Sequence, residues 1–393
     1  VLNGETDGQQ MLESLDRANL FLVPLDNERR WYRYHHLFVE LLRQRLRQSV
    51  AEAEIDALHI RASAWYEAQE LAIEAFQHAA AGNDIGRAVR LIAGDGLPLP
   101  FRGASALVMD WLDTLPTDVL AADPALLITQ AMTATMLGRP NAATAAQLQT
   151  AEAMLPADPA DLPTRDLLGQ IAAIRAMLAI PGNQADIILE QSRRALIYLH
   201  PNNDPVRLTA TWALGYAYQV QGKRDAAREA YRKAAVAARS SDNIMIQLAS
   251  LTNLGQVQES NLQLRQAAET YAEILEMADQ FPWMMAYLPV ALVGLGRIHY
   301  QWNEFETVQT YCDQAQEFMS ELENVDTPAA AGILRARLRL AQGDFVTAQT
   351  VLAEAEQFIR DNHFEHYLAE LTEVKIAAAL RRGEQSVAAP LAQ

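Results

Sequence analysis

The stretch that decides the fold is LTATWALGYAYQVQGKRDAAREAYRKAAVAAR, residues 208–239. Its turn at Gln221-Gly222-Lys223 separates two segments of helical length, and glycine is the residue that most readily ends a helix. Leu214-Gly215 and Tyr218 precede the turn, and Ala227, Tyr231 and Ala234 follow it; Gly215 and Tyr218, and likewise the three residues after the turn, are three or four positions apart. Residues at that spacing share one helix face, so the stretch predicts two helices that pack together.

The same pattern recurs three more times along the chain. The small residue lies at Gly215, Gly255, Gly296 and Ala336, which are 40, 41 and 40 residues apart. The second helix of each later unit repeats the other positions: Ala267, Tyr271 and Ile274; Val308, Cys312 and Ala315; Ala348, Leu352 and Ala355. One helix pair cannot bury its apolar face, whereas stacked pairs form a continuous core. The sequence therefore predicts an all-α superhelix (an α-solenoid) with a concave groove.

Fainter copies of the pattern lie outside these four units. In each, a glycine turn precedes a small or apolar residue by five positions: Gly138 and Ala143, Gly182 and Ile187, Gly383 and Ala388. The spacing predicts that Ala143, Ile187 and Ala388 are core positions equivalent to Ala227.

The Leu-Gly, Ala, Tyr, Ala series resembles the tetratricopeptide repeat. The period of the units is longer than the standard period of about 34 residues, so we expect longer helices or loops. HEAT-type helix pairs, with periods of about 40 to 47 residues, are the structural alternative.

The first 48 residues have a different pattern. Residues 11–18 suit a short helix, and residues 20–25 and 31–35 are strand-like runs of large apolar and aromatic side chains. Asp26-Asn27-Glu28 between them is typical of a turn, which favours a β-hairpin. A helix is predicted from His36 to Arg47, with its apolar residues on one side: Leu37, Phe38, Leu41, Leu42 and Leu46.

Between this segment and the clear repeats, the chain reads as helices separated by loops. Two helix pairs are predicted within residues 55–93, with breaks near Gln69-Glu70 and at Gly82-Asn83-Asp84. Residues 94–103, 155–164 and 200–205 are rich in Pro, Gly or Asp and predict loops. Because helical periodicity resumes after each loop, we assign residues 49–393 to one repeat array.

Two motifs resemble a particular family. WYRYHHLF at residues 31–38, continuing to LLRQRL at 41–46, is similar to the junction after the winged-helix domain of MalT-like, ATP-dependent transcriptional regulators with a LuxR-type DNA-binding end. WLDTLP at residues 111–116, followed by DPAL at 123–126, is similar to the early repeats of that family. The resemblance implies that residues 1–48 are the end of a winged helix and residues 49–393 a sensor domain.

Composition excludes several functions. The formal net charge of −17 makes the chain a poor match for the phosphates of DNA or RNA. No apolar run approaches the length of about 20 residues that crosses a membrane. A single cysteine, Cys312, cannot form an internal disulfide, which suits the cytoplasm. The chain starts at Val1 without a signal-like segment and reads as a piece of a longer protein.

The chain shows no catalytic or cofactor motif. The phosphate-binding motif G-x-x-x-x-G-K-[ST] is absent, and no basic helix-turn-helix follows, so we expect neither ATP hydrolysis nor DNA binding from this chain. His363 and His366 lie three apart on a predicted helix but lack a third metal ligand. Gly294-Leu295-Gly296 lacks the context of a dinucleotide-binding loop, and Cys312 falls on a core position. We therefore expect no enzyme activity, no metal and no cofactor.

A basic cluster is the one local exception to the acidic balance. It comprises Arg29, Arg30, Arg33, Arg43, Arg45 and Arg47. It suits either contact with a neighbouring domain or a solvated helix beside a hairpin.

A ligand site is predicted on the first helix of each unit, which lines the groove in such arrays. Residues one position after the small residue, and one turn to either side, should point into the groove. They are Trp212, Tyr216 and Gln219; Asn253, Gln256 and Glu259; Arg297, Tyr300 and Gln301; and Arg337. Aromatic rings provide contact area and polar groups fix orientation, which suits a polar small molecule or a peptide.

We therefore expect the effector-sensing region of a MalT-like regulator. Its expected partners are a small-molecule effector or regulatory protein and the nucleotide-binding domain of the parent protein, with oligomerisation possible and direct contacts with nucleic acid or membrane absent. The alternative is a stand-alone adaptor or co-chaperone-like scaffold that binds protein segments.

Overall fold

A computed structural model of the protein describes residues 8–18, 21–24, 32–94, 97–140, 142–157, 159–280, 287–319 and 326–384. These residues contain twenty α-helices and one two-stranded sheet, which confirms the predicted all-α repeat class with a small hairpin. The chain divides into two compact units, residues 1–167 and residues 168–393. The sequence predicts a different boundary, after residue 48, between the hairpin segment and the repeat array. That boundary stays a prediction.

The hairpin is present where the sequence predicts it. Helix α1 (Gly8–Arg17) precedes strand β1 (Leu22–Pro24), which pairs antiparallel with β2 (Tyr32–Tyr34). The predicted turn at residues 26–28 lies outside the described residues. Helix α2 (His36–Ser49) follows directly, and none of its side chains is buried. Most of its predicted apolar side is exposed, with Leu37 at 68%, whereas Phe38 is half-buried.

The rest of the first unit is helical. Its elements are α3 (Glu52–Ala68), α4 (Ala72–Ala81), α5 (Ile85–Ala93), a 3-10 helix (Leu99–Arg102), α6 (Ser105–Thr114), α7 (Thr117–Ala122), α8 (Pro124–Met136) and α9 (Ala142–Ala153). The prediction of two helix pairs in residues 55–93 is wrong, because the two predicted breaks separate three helices. Glu70 and Asn83 at those breaks have positive φ angles of 61° and 54°, which end a helix.

The second unit contains the clear repeats, and α10 crosses its boundary. Its helices are α10 (Leu162–Leu178), α11 (Ala185–Tyr198), α12 (Asp204–Val220), α13 (Arg224–Ser240), α14 (Ile244–Ser260), α15 (Leu264–Gln280), α16 (Leu288–Gln301), α17 (Phe305–Met319), α18 (Thr327–Ala341), α19 (Phe345–Asp361) and α20 (Leu368–Arg381). Two predicted loops end earlier than expected, since α10 and α12 begin at Leu162 and Asp204. Pro163 and Pro205 then lie in a first helical turn, where a missing N–H costs nothing.

The repeat positions are confirmed as core positions. Ala227, Ala267, Val308 and Ala348 are each 0% exposed. A Cβ atom added to Gly215 would lie 2.8 Å from the ring of Tyr231, so glycine provides the space that this ring fills. Each second helix packs against its own first helix and against the first helix of the next pair.

In two of the fainter copies, the predicted core position is wrong by one residue. Ala143 is exposed and Thr144 is buried, while Ile187 is 45% exposed and Ile188 is fully buried. After Gly182 the residue of positive φ is Asn183, so α11 begins one position later than the glycine indicates. A later start rotates the helix by about 100°, which brings the next residue to the core. Ala388 lies outside the described residues.

Candidate ligand-binding face

The predicted ligand residues all lie on the first helices of successive pairs. Helix α12 contacts α14, α14 contacts α16, α16 contacts α18, and α18 contacts α20. We call the ten predicted residues on α12, α14, α16 and α18 the inner face. All of them are half-buried except Gln301, which is exposed.

The first half of the inner face is aromatic and uncharged. Trp212 Nε1 donates a hydrogen bond of 2.8 Å to Asn253 Oδ1, which connects α12 to α14. Asn253 Nδ2 in turn donates to Gln256 Oε1 at 3.2 Å. The hydroxyl of Tyr216 donates to Asn183 Oδ1 at 2.7 Å, and burial raises the pKa of that hydroxyl. Tyr216 therefore stays a neutral donor.

The second half of the inner face is charged. Arg297 on α16 binds Glu259 on α14 through two hydrogen bonds, Nε to Oε1 at 2.7 Å and Nη2 to Oε2 at 2.9 Å. The hydroxyl of Tyr271 also donates to Glu259, at 3.3 Å. Burial opposes the charge on Arg297, but the bonds to Glu259 outweigh burial and raise its pKa. This ion pair fixes both side chains, and Arg297 keeps its positive charge.

A second ion-pair group connects α18 to α20. Arg337 lies 3.2 Å from Glu370 and 3.0 Å from Glu373. The side chain of Arg337 is 20% exposed, whereas that of Glu373 is 73% exposed. The contact with Glu373 is therefore the more accessible one.

The sequence missed these two carboxylates and Asn183. Helix α20 lacks a small residue at the position that aligns with Ala336, where Ile376 stands instead. The repeat pattern therefore did not extend to Glu370 and Glu373. Their spacing of three residues was the available signal, because such residues share a helix face.

Two predicted residues contact their own helix pair, and a third lies at the end of its helix. Gln219 accepts a hydrogen bond of 2.8 Å from the hydroxyl of Tyr231 within its own helix pair. The ring of Tyr300 packs on Phe305, with 5.8 Å between the centroids. Gln301 is the last residue of α16. The residues that the structure connects across repeats are thus Trp212, Tyr216, Asn253, Glu259 and Arg297, with Arg337 bound to α20.

The helix predicted around His363 and His366 is wrong. His363 is a turn residue with a φ of 59°, and His366 lies in a 3-10 helix, Glu365–Tyr367, that precedes α20. His366 Nε2 lies 3.2 Å from Asp326 Oδ2. Within the described ranges, no group of three or more His, Cys, Asp or Glu side chains is placed to hold a metal ion.

Two further expectations concern the single cysteine and the membrane. Burial raises the pKa of Cys312 to about 11, so its thiol stays protonated. In the part of the chain that the structure describes, no helix combines the length and apolarity that crossing a membrane requires.

Comparison with family models gives two matches. Residues 169–393 match the model of the MalT-like TPR region, and residues 1–54 match that of the MalT winged helix domain. The first match alone covers more than half of the chain.

Individual relatives agree with these matches. The HTH-type transcriptional regulator MalT of Yersinia pestis (strain Pestoides F) is 25% identical over 364 residues, which cover 90% of this chain and 39% of that protein. The serine/threonine-protein kinase PknK of Mycobacterium tuberculosis is 28% identical over 211 residues, 54% of this chain and 19% of the kinase. The chain thus spans well under half of the length of these relatives.

Among solved structures, a Rap protein complexed with competence and sporulation factor is similar to the chain. It has a TM-score of 0.49 and 14% identity, and the match covers 91% of this chain and 98% of that one.

Proposed function

This chain belongs to the MalT-like family of transcriptional regulators, and from that premise we propose that its second unit senses an effector. The effector is a small molecule or a regulatory protein that binds to the inner face. The chain itself performs no catalysis, and it acts in the cytoplasm.

One observation carries this proposal. Side chains that are about 40 residues apart in sequence contact one another across α12, α14 and α16, as Trp212 does with Asn253 and Glu259 with Arg297. The resulting surface has rings and amides at one end and ion pairs at the other. Binding sites commonly combine aromatic contact area with a few fixed polar groups, so this surface suits a ligand that carries both.

Sensing requires unequal binding to two arrangements of the helices. An effector shifts an equilibrium only as far as its affinities for the two states differ. Because the inner-face contacts connect neighbouring helix pairs, a ligand there would change how α12, α14 and α16 pack. In the longer relatives, such a change would alter contacts with a nucleotide-binding domain and permit oligomerisation.

The proposal predicts that loss of inner-face side chains abolishes binding without unfolding the chain. We expect a thermal-shift screen against metabolite and peptide libraries to give a hit, since a ligand at 100 times its dissociation constant adds about 2.7 kcal/mol. Tyr216→Ala and Gln256→Ala should each weaken binding of that hit at least about tenfold, which is about 1.4 kcal/mol. Arg297→Ala is less informative, because it would leave the half-buried Glu259 without its ion-pair partner.

The matched control is Arg232→Ala on α13, the second helix of its pair. Its side chain is 57% exposed and pairs only locally with Glu229, so neither binding nor helical content should change. Unchanged affinity in both inner-face variants would exclude the inner face as the binding site. If only protein segments bind, and the complete gene encodes no nucleotide-binding domain, the adaptor alternative is correct.

A further inference from the structure

Two histidines in the first unit face each other. Nδ1 of His59 on α3 lies 2.9 Å from Nδ1 of His78 on α4. The ring of Tyr66 stacks on that of His78, with 5.2 Å between the centroids and 13° between the planes. Both histidines are half-buried. At this distance one Nδ1 must carry a proton and donate a hydrogen bond to the other Nδ1.

The helices on either side of the pair are tightly packed. A Cβ added to Gly82, at the end of α4, would lie 3.0 Å from the carbonyl oxygen of Asp56 and 3.0 Å from His59 Cβ. One turn further along α3, the buried hydroxyl of Ser63 donates to the carbonyl oxygen of Ala75 at 2.8 Å. This packing of α3 against α4 holds the two rings close together.

The charges around the pair oppose additional protons. Burial lowers the pKa of His59 most; Arg43 and Arg47 on α2 lower it further, while Asp56 on α3 opposes them. The pKa of His78 is lowered by burial, then by His59, then by Arg43. The neighbouring helix α2 thus contributes two positive charges and α3 one negative charge.

The number of protons on the two rings decides whether the hydrogen bond between them survives. The neutral pair has one Nδ1–H and one bare Nδ1. A first extra proton can bind Nε2 of the donor ring, and the hydrogen bond between the rings survives. A second extra proton must occupy the accepting Nδ1, so two N–H groups and two positive charges then face each other.

We propose that His59 and His78 form a proton-sensitive latch, which holds α3 against α4 at neutral pH and opens when the pair takes up its second proton. Because the pKa of each histidine lies below its ordinary value of 6.5, the unfolded chain binds more protons on acidification than the folded chain. The stability that the latch contributes is complete above that value and is lost as the pH falls below it. The latch makes packing within the first unit sensitive to acid.

Histidine-selective NMR of the full chain tests the titration directly. We expect the Cε1–H resonances of His59 and His78 to titrate below the ordinary pKa of histidine and to respond to each other. The variant His59→Gln should move the titration of His78 toward its ordinary pKa. Two independent titrations near the ordinary pKa would overturn the proposal.

Hydrogen exchange followed by mass spectrometry tests the opening. Between about pH 7.5 and about pH 5.5, the range in which histidine changes charge, protection of the α3 and α4 amides should fall several-fold after correction for intrinsic rates. The fall should disappear in a His59→Gln/His78→Gln variant and persist in the control His363→Gln, whose side chain is 85% exposed. An equal fall in the double variant, or none in the unmodified chain, would show that the pair is not a latch.

Discussion

At the scale of single residues, glycines make room for tyrosines. The ring of Tyr271 on α15 lies between Gly255 on α14 and Gly294 on α16, and it is 0% exposed. A Cβ added to Gly255 would lie 2.6 to 3.0 Å from three atoms of that ring. The glycine is thus needed for packing, although it lowers helix propensity.

We predict that Gly255→Ala destabilises the chain by about 1–3 kcal/mol, because an added methyl group overpacks the core. Chemical denaturation measures the change. The control is Gly86→Ala in α5, where the nearest atom beyond the helix's own backbone, Asp84 Oδ1, is 3.9 Å from the added Cβ. There the gain in helix propensity should leave stability unchanged or raise it by up to about 1 kcal/mol. A stable Gly255→Ala variant would contradict the packing role.

At the scale of elements, one residue of positive φ sets where the next helix begins. Asn83, Asn183, Gly222, Leu262, Asn303 and Gly343 have positive φ, and in each case the following helix begins two residues later. The left-handed conformation reverses the chain between two helices. Glycine and asparagine adopt it readily, but leucine does not.

Leu262 is therefore a strained turn residue. Its φ is 58° and its side chain is 83% exposed, so little packing compensates for the strain. We predict that Leu262→Gly stabilises the chain by roughly 0.5–1 kcal/mol in thermal or urea unfolding. This value is the strain that glycine relieves in the folded chain minus the conformational entropy that glycine adds to the unfolded chain. Gly222→Ala, at a φ of 71°, should destabilise it by about as much. If both substitutions changed stability by the same amount in the same direction, the positive φ angle would not be what determines the stability of these turns.

At the scale of the whole molecule, stability is expected to come from contacts between neighbouring helices. From α11 to α20, each helix packs mainly on the helices next to it in sequence. Ala176 at the end of α10 packs in one core cluster with Ile188 of α11 and Ala213 of α12. Helix α10 begins this series, and its Leu168, Ile171 and Ile174 are at most 2% exposed. Repeat arrays of this kind are stable segment by segment when their terminal helices are covered.

We predict that a fragment of residues 159–393 folds without the rest of the chain. Circular dichroism should show a cooperative melt, because the fragment contains a complete compact unit. A fragment of residues 180–393 lacks α10 and exposes the apolar side of α11 and α12, so it should melt at a lower temperature. If the two fragments melted alike, α10 would not belong to the core of this unit.

Much of the fold follows from local patterns in the sequence. Ala227, Tyr231 and their equivalents occupy the core because they repeat at a fixed spacing, and each sees the same neighbours in every unit. The shift of the core position from Ile187 to Ile188 was missed, because a residue of positive φ other than glycine carries no clear sequence signal. In residues 55–93 both breaks were predicted, but they separate three helices and not two helix pairs.

What the sequence determined by itself is the class of fold and the repeat positions, since these depend on spacing along one or two neighbouring helices. Only the tertiary structure decided which polar groups meet. Glu259 and Arg297 are 38 residues apart, and His59 and His78 are 19 apart. Such pairs form because packing brings their helices within hydrogen-bonding distance, and no periodic pattern specifies that distance.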